Sequence, residues 1–226
     1  MKREIIITND GTTTIRIPEW NENYHSSHGA IQEAKHVFIK NGLDLFKNQS
    51  SISILEIGYG TGLNAFITFL ETHETLNVDY VGIEAYPVSM KEIGQLNYVS
   101  QLGAFQFHPI FERMHSDDWE IPQNISNNFT LTKHQQFFQE IEDKDRFHLI
   151  YFDAFGFPTQ PELWSEAIFK KMYDALLPDG VLVTYACRTV IKKAMLSVGF
   201  SVEKLPGAPG KREMLRAKKA PVFLKI

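Results

Sequence analysis

Three glycines and three carboxylates stand where their types and spacing can do chemistry. Glu56-Ile57-Gly58-Tyr59-Gly60-Thr61-Gly62-Leu63-Asn64 follows an apolar run of Ile52, Ile54, Leu55 and Ile57. Glycine at every second position makes a turn tight enough for a ligand to press on its backbone. A helix is expected from about Leu63 to Leu70, its free N–H groups facing whatever lies over the turn. About 22 residues on, Val81-Gly82-Ile83-Glu84 ends a second strand in a carboxylate, a spacing suited to gripping ribose hydroxyls. Phe147 to Asp153 is the clearest later strand, and it too ends in an acid. A carboxylate closing an apolar strand needs a partner, which makes Asp153 the candidate catalytic residue.

A dinucleotide turn usually reads G-x-G-x-x-G, with a pyrophosphate on the helix dipole. Here Glu56 precedes the glycines and the turn holds no basic residue. Negative charge there disfavours a pyrophosphate and favours a cationic amino-acid moiety. S-adenosyl-L-methionine carries an ammonium, a sulfonium and no phosphate. It is the expected cofactor, with a nicotinamide dinucleotide and a ligand-free turn as the competing readings. Glu56 would hold the methionine ammonium directly or through water. Gly58, Gly60 and Gly62 would admit the methionine part, Glu84 would bind the ribose, and Asn64 and Asp153 complete the expected cofactor-binding set. The E-x-G-x-G-x-G pattern resembles motif I of class I methyltransferases.

The elements that must position these groups alternate. After Glu84 two helices are expected, about 88–101 and 105–114, then a short strand at Phe129–Thr132 and the strand ending at Asp153. A helix from Pro161 to Leu177 stops at Pro178-Asp179-Gly180, followed by the strand Val181–Tyr185 and a helix from Thr189 to Val198. Segments 199–205 and 212–217 read as a closing strand pair. Alternating strands and helices predict an α/β fold, a Rossmann-like sheet with helices on both faces and its ligand at the carboxyl ends of the strands. Residues 51–226 form this domain. Residues 1–50 form an N-terminal extension: a β-hairpin around Asn9-Asp10-Gly11, a polar stretch Asn23–Gly29, and a helix from about Ala30 to Phe46. Tyr24, His25 and His28 precede that helix, where a loop can cover a cofactor, although each histidine alone reads as surface.

The chain has 226 residues, 43% hydrophobic, enough for one sizeable core. No run approaches the ~20 apolar residues of a membrane span. The N-terminus lacks a signal peptide's apolar core, and the single cysteine, Cys187, excludes an internal disulfide. A cytoplasmic protein is expected. The eight histidines are scattered and no Cys/His cluster has zinc spacing, so no metal is expected. Net charge is −4, but Tyr185 to Ile226 holds ten basic residues against two acids, net +8. The remainder, with 13 basic and 25 acidic residues, is −12. A basic end on an acidic domain can bind phosphates, or it can be a solvated lysine-rich surface.

Two further blocks bear on the substrate. In Asp153-Ala154-Phe155-Gly156-Phe157, followed by Pro161-Glu162-Leu163-Trp164, an acid and two aromatics can hold an amine and stack on a flat ring. Core packing is the alternative for Phe155 and Phe157 and the favoured reading for Trp164. In Gly207-Ala208-Pro209-Gly210-Lys211-Arg212-Glu213-Met214 a Gly/Pro loop precedes a basic pair that can clamp a phosphate or a base, or form a plain hairpin turn.

These blocks, in this order and with Val37-Phe38-Ile39…Gly42-Leu43 upstream, resemble the MnmC-type methyltransferase domain over nearly the whole chain. The resemblance implies methylation of the aminomethyl group on a tRNA wobble uridine with S-adenosyl-L-methionine, with the tRNA anticodon loop as partner. It implies the stand-alone form without the oxidase domain of bifunctional members. Phe155, Phe157 and Tyr185 would then stack on the uracil. Lys192, Lys193, Lys211 and Arg212 would contact anticodon-stem phosphates, with Glu213 beside them. Two places depart from the family: Lys133-His134-Gln135-Gln136 where an acid usually follows the third strand, and Arg188-Thr189 where Lys-Gly is usual. An aminopropyltransferase of related fold, which needs carboxylates at both ends of its site, and a non-catalytic binding module are the alternatives.

Overall fold

The computed structural model describes residues 2–116 and 118–221. Asp117 and Lys225, the latter one of the ten basic residues counted above, lie outside the described residues. The N-terminal segment contains β1 (Glu4–Ile7), β2 (Thr13–Ile17) and β3 (Glu22–Asn23), a small antiparallel sheet in the order β1-β2-β3. Next comes α1 (Ala30–Ala34).

The central body runs through β4 (Ser51–Ile57), α2 (Leu63–Thr72), β5 (Asn77–Ile83), α3 (Met90–Ile93), α4 (Tyr98–Gln101), α5 (His108–Ser116), β6 (Gln123–Ser126), β7 (Phe129–His134) and β8 (Phe147–Phe152). It closes with α6 (Glu166–Ala175), β9 (Leu176–Thr184), α7 (Thr189–Ser197), β10 (Ser201–Pro206) and β11 (Glu213–Lys218).

One 8-stranded sheet has the order β10-β11-β9-β8-β4-β5-β7-β6. The pairs β4–β5, β4–β8, β5–β7 and β8–β9 are parallel, while β6 and the β10–β11 hairpin add antiparallel edges. This is the expected Rossmann-like α/β sheet. Strand side chains alternate between faces, so Ile54 joins the core beneath α1 and α2 while Leu55 and Ile57 join the core beneath α6 and α7. The chain leaves β4 for β5 on one side and later returns to β8 on the other. That reversal opens a crevice at the carboxyl ends of β4, β5 and β8.

Several expected helices are broken. The helix expected over 30–46 is α1, a wide π turn over Lys35–Lys40 and a short 3-10 turn at Leu43–Phe46. The wide turn buries Val37, Phe38 and Ile39 together, and Leu45, expected on the apolar face, is 50% exposed. The helix expected over 88–101 divides into α3 and α4 because Asn97 is claimed by the N-terminal hairpin. Its Oδ1 accepts from the Thr13 backbone (2.8 Å) and its Nδ2 donates to Gly11 O (2.9 Å). The helix expected from Pro161 begins as a 3-10 turn pinned by the Trp164 indole, which donates to Phe155 O at 2.9 Å; Ser165 then caps α6. Pro178-Asp179-Gly180 lies within the irregular start of β9 rather than in a separate stop. No helix among the described residues is long and apolar enough to cross a membrane.

Candidate active site

The crevice widens into a cleft of about 620 Å³, within the range of small-molecule sites. Its floor is the glycine turn and Asp153. One wall is the segment Trp20–His28 of the N-terminal extension, and the far end is Glu84–Tyr86 with Phe137–Gln139.

The turn after β4 is built by left-handed backbone. Gly58 has φ +87°, and a Cβ there would stand 2.7 Å from Asp153 O. Only glycine lets the two strand ends approach this closely. The Gly58 and Tyr59 amides donate to Ile83 O, and Asp153 N donates to Ile57 O, which locks the ends of β4, β5 and β8 together. Glu84 is oriented by backbone donors: Oε2 accepts from Gly60 N (3.0 Å) and Oε1 from Tyr86 N (2.9 Å).

Beneath the floor runs a buried polar chain. The Tyr80 hydroxyl donates to Glu56 Oε2 (2.8 Å), while Asn64 Nδ2 donates to both Glu56 Oε1 (2.8 Å) and Asp153 Oδ2 (2.9 Å). Glu56 is fully buried, and desolvation pushes its carboxyl well above the usual range despite these two donors. It does not line the cleft. The acid expected at the ligand therefore sits one layer below, behind Asn64, because β4's alternation turns residue 56 into the sheet–helix interface. Asp153 does line the cleft, and its pKa is raised to about 7. Desolvation is the main cause; the Glu33 charge adds to it, and the Asn64 bond and Lys211 oppose it. Asn64 Oδ1 is buried without a hydrogen-bond partner. With both N–H bonds given to carboxyls, that carbonyl is an acceptor waiting for a donor.

Of the expected site residues, the structure brings Gly58, Gly60, Asn64, Glu84, Asp153, Phe155, Tyr185 and Lys211 to the cleft wall. Gly62 caps α2 just outside, in left-handed conformation (φ +69°). Phe155 meets Trp20 and Tyr24 edge-on at 5.5 and 5.1 Å between centroids. Phe157, Arg212 and Glu213 do not reach the wall. Phe157 packs against the α6–α7 core, with the Arg188 guanidinium 5.7 Å from its ring centroid. Glu213 pairs with Lys204 (2.9 Å), and Arg212 points to solvent. Lys211, expected on tRNA phosphates, instead pairs with Glu33 inside the cleft, its Nζ 3.8 Å from the Tyr185 ring centroid. One face of Tyr185 is therefore occupied.

The sequence reading missed Glu33, Trp20 and the depth of His25. His25 Nδ1 and Thr14 Oγ1 lie 2.8 Å apart, and burial lowers the imidazole pKa to about 4. His25 is thus half-buried and lines the cleft instead of standing on open surface. Trp164 is core, 1% exposed.

A sequence profile for a family described as S-adenosyl-L-methionine-dependent methyltransferase matches residues 113–220. The chain is 26% identical over 238 residues to the tRNA 5-methylaminomethyl-2-thiouridine biosynthesis bifunctional protein MnmC of Cupriavidus metallidurans, covering 97% of this chain and 34% of that protein. It spans about a third of the length of the curated relatives it matches. Its fold is similar to that of MnmC2 from Aquifex aeolicus, with TM-score 0.72 and 23% identity over 98% of this chain and 73% of that one. It is also similar to spermidine synthase from Thermotoga maritima, with TM-score 0.59 and 14% identity over 99% and 71%. Over nearly all its length, then, the chain resembles the methyltransferase part of MnmC proteins.

Proposed function

We propose that this protein is a cytoplasmic, S-adenosyl-L-methionine-dependent N-methyltransferase that converts the 5-aminomethyl group of a tRNA wobble uridine to 5-methylaminomethyl. The observation that carries the reading is the convergence of the glycine turn, Glu84 and the elevated Asp153 on one cleft, in a chain similar to MnmC over 97% of its length. The residues present fit the cofactor. Gly58 and Gly60 line the cleft without side chains, and the orphaned Asn64 Oδ1 offers an acceptor to an ammonium or amine. When bound, S-adenosyl-L-methionine supplies an electrophilic methyl group on a sulfonium.

The chain's own groups then have distinct tasks. Gly58 and Gly60 admit the methionine part against the backbone. Glu84, held by two amides, takes the ribose hydroxyls. Tyr86 and Phe137, whose rings stand edge-on 6.0 Å apart beyond Glu84, flank the adenine. Glu56 acts through Asn64 as a positioning residue. Asp153, one oxygen held by Asn64, orients the attacking amine and accepts its N–H; a primary amine needs no strong base, but it must be neutral and in line with the sulfonium methyl. Trp20, Tyr24 and Phe155 form an aromatic wall for the uracil. A wobble base lies in a single-stranded loop, so turning it into the cleft costs little compared with a paired base. Arg188, Lys193 and Arg212, all exposed, meet the anticodon-stem phosphates.

The test is incorporation of labelled methyl from S-adenosyl-L-methionine into tRNA carrying 5-aminomethyluridine. Transfer to that tRNA and not to unmodified tRNA supports the reading. Activity on putrescine with an aminopropyl donor, and none on the tRNA, would replace it with the polyamine reading suggested by the spermidine synthase fold. Absence of S-adenosyl-L-methionine binding in calorimetry would remove the methyltransferase reading.

A further inference from the structure

Glu33 and Lys211 meet inside the cleft although 178 positions separate them. Glu33 lies on α1 and is buried, 8% exposed. Its Oε2 accepts from Ser26 N (2.9 Å), which ties down the segment over the cleft, and its Oε1 takes the Lys211 ammonium. That ammonium stands on the Tyr185 ring, 3.8 Å from its centroid, and the Tyr185 hydroxyl donates to Ala154 O (2.8 Å), next to Asp153. The loop reaches this place because residue 210 is glycine: at φ +83°, a Cβ there would lie 2.1 Å from the His28 ring.

A buried carboxylate, Glu33, and a half-buried one, Asp153, thus face one amine-accepting cleft, and Glu33 already holds a cation. We propose that Lys211 is a built-in counter-cation that satisfies Glu33 and restricts the cleft to acceptors bearing a single amine. The proposal rests on the reading of the cleft as an amine-methylating site and names what sets its specificity. A dication needs two carboxylates, one for each ammonium. Asp153 serves the reacting nitrogen. Glu33, the partner for a second, is held by Lys211 against an aromatic face, an arrangement favourable to a cation. A diamine must therefore break a largely desolvated ion pair before its second ammonium is matched. A nucleoside with one aminomethyl group has no such requirement. The other carboxylates around the cleft are committed elsewhere or lie apart. Glu84 is held by two amides, Glu22 accepts from the Thr159 hydroxyl (2.9 Å), and Glu162 is exposed in the turn before α6.

The test is calorimetric titration of the S-adenosylhomocysteine-loaded protein with propylamine, 1,3-diaminopropane, putrescine and cadaverine. Wild type and Lys211→Arg are expected to bind diamines no more tightly than propylamine. Lys211→Met should prefer at least one diamine by about tenfold or more, the scale of one hydrogen-bonded charge contact. Glu33→Gln/Lys211→Met should lose that preference. Should Lys211→Met fail to melt cooperatively, Lys211→Gln serves in its place. A diamine preference already present in wild type, none in the Lys211 variant, or one that survives in the double variant would each overturn the proposal. Failure of wild type to methylate the aminomethyluridine tRNA would overturn the acceptor reading instead, and it is measured separately from these titrations.

Discussion

Asn64 donates to Asp153 Oδ2 over 2.9 Å, across 89 positions of sequence. The same amide group donates to Glu56 Oε1, so one side chain at the first turn of α2 holds a buried carboxyl below the floor and a titrating one on it. This makes α2 the rigid reference for the reacting group. Asp153 is aimed by a helix packed on the sheet rather than by its own loop.

Replacing Asn64 by Ala removes the donor that favours the Asp153 carboxylate. The Asp153 pKa should rise above about 7, and the acid limb of kcat/KM should move to higher pH. Turnover at neutral pH should fall by roughly 10- to 100-fold. A pH–rate profile that keeps its wild-type midpoint would refute this role.

Asp153→Ala should cut kcat by ~100-fold or more while changing S-adenosyl-L-methionine affinity by less than about tenfold. In the wild type, activity should rise with pH through about 7, as the Asp153 carboxyl ionises. Single-turnover kinetics and calorimetry separate the two effects.

Glu84→Ala should do the reverse. Loss of charge-assisted bonds to ribose is worth about 1.5–3 kcal/mol, or roughly 10- to 150-fold in cofactor Kd. Turnover at saturating cofactor should change far less. Equal loss of cofactor binding in this variant and in Asp153→Ala would show that the two acids do not divide the work.

His25 links the N-terminal sheet to the glycine turn, with Thr14 on one ring nitrogen and Thr61 on the other. Burial lowers its pKa from 6.5 to about 4. The folded protein therefore resists a proton that the unfolded chain accepts, so stability is lost as pH falls from about 6.5 towards 4. Between pH 7.5 and pH 5, urea unfolding of the wild type should lose about 2 kcal/mol more than that of His25→Asn. Equal losses would place the acid sensitivity elsewhere.

Arg188, Lys193 and Arg212 are exposed. Changing each to Ala should weaken tRNA binding and reduce the slope of log K against log salt by about one for each phosphate left without its cation. Cofactor affinity should not change. An unaltered salt slope would move the tRNA surface away from this end of the sheet.

The turn at Gly58–Gly62 and the strand-end acids Glu84 and Asp153 could be read from the sequence because their signals are local. A period of two marks the strands, glycine marks left-handed backbone, and an acid after an apolar run must find a partner. These same signals carried the sheet. The helices failed where distant groups intervened: Asn97 is claimed by the hairpin, and Trp164 is tied to Phe155 O. The site's second layer was illegible for the same kind of reason. Whether Glu56 touches a ligand or lies under Asn64 depends on which face of β4 the helix covers.

The amino-acid sequence by itself determined the α/β class, the place of the glycine turn at the first parallel strand and the two acids at its neighbours' ends. Only the tertiary structure decided that Lys211 leaves the basic surface for the cleft, that Glu33 meets it there, and that the segment Trp20–His28 forms a wall of the site. A charged side chain carries no address in its own neighbourhood. Its role is set by the fields and surfaces that the packed chain brings to it, and those arise only when segments far apart in sequence are held against one sheet.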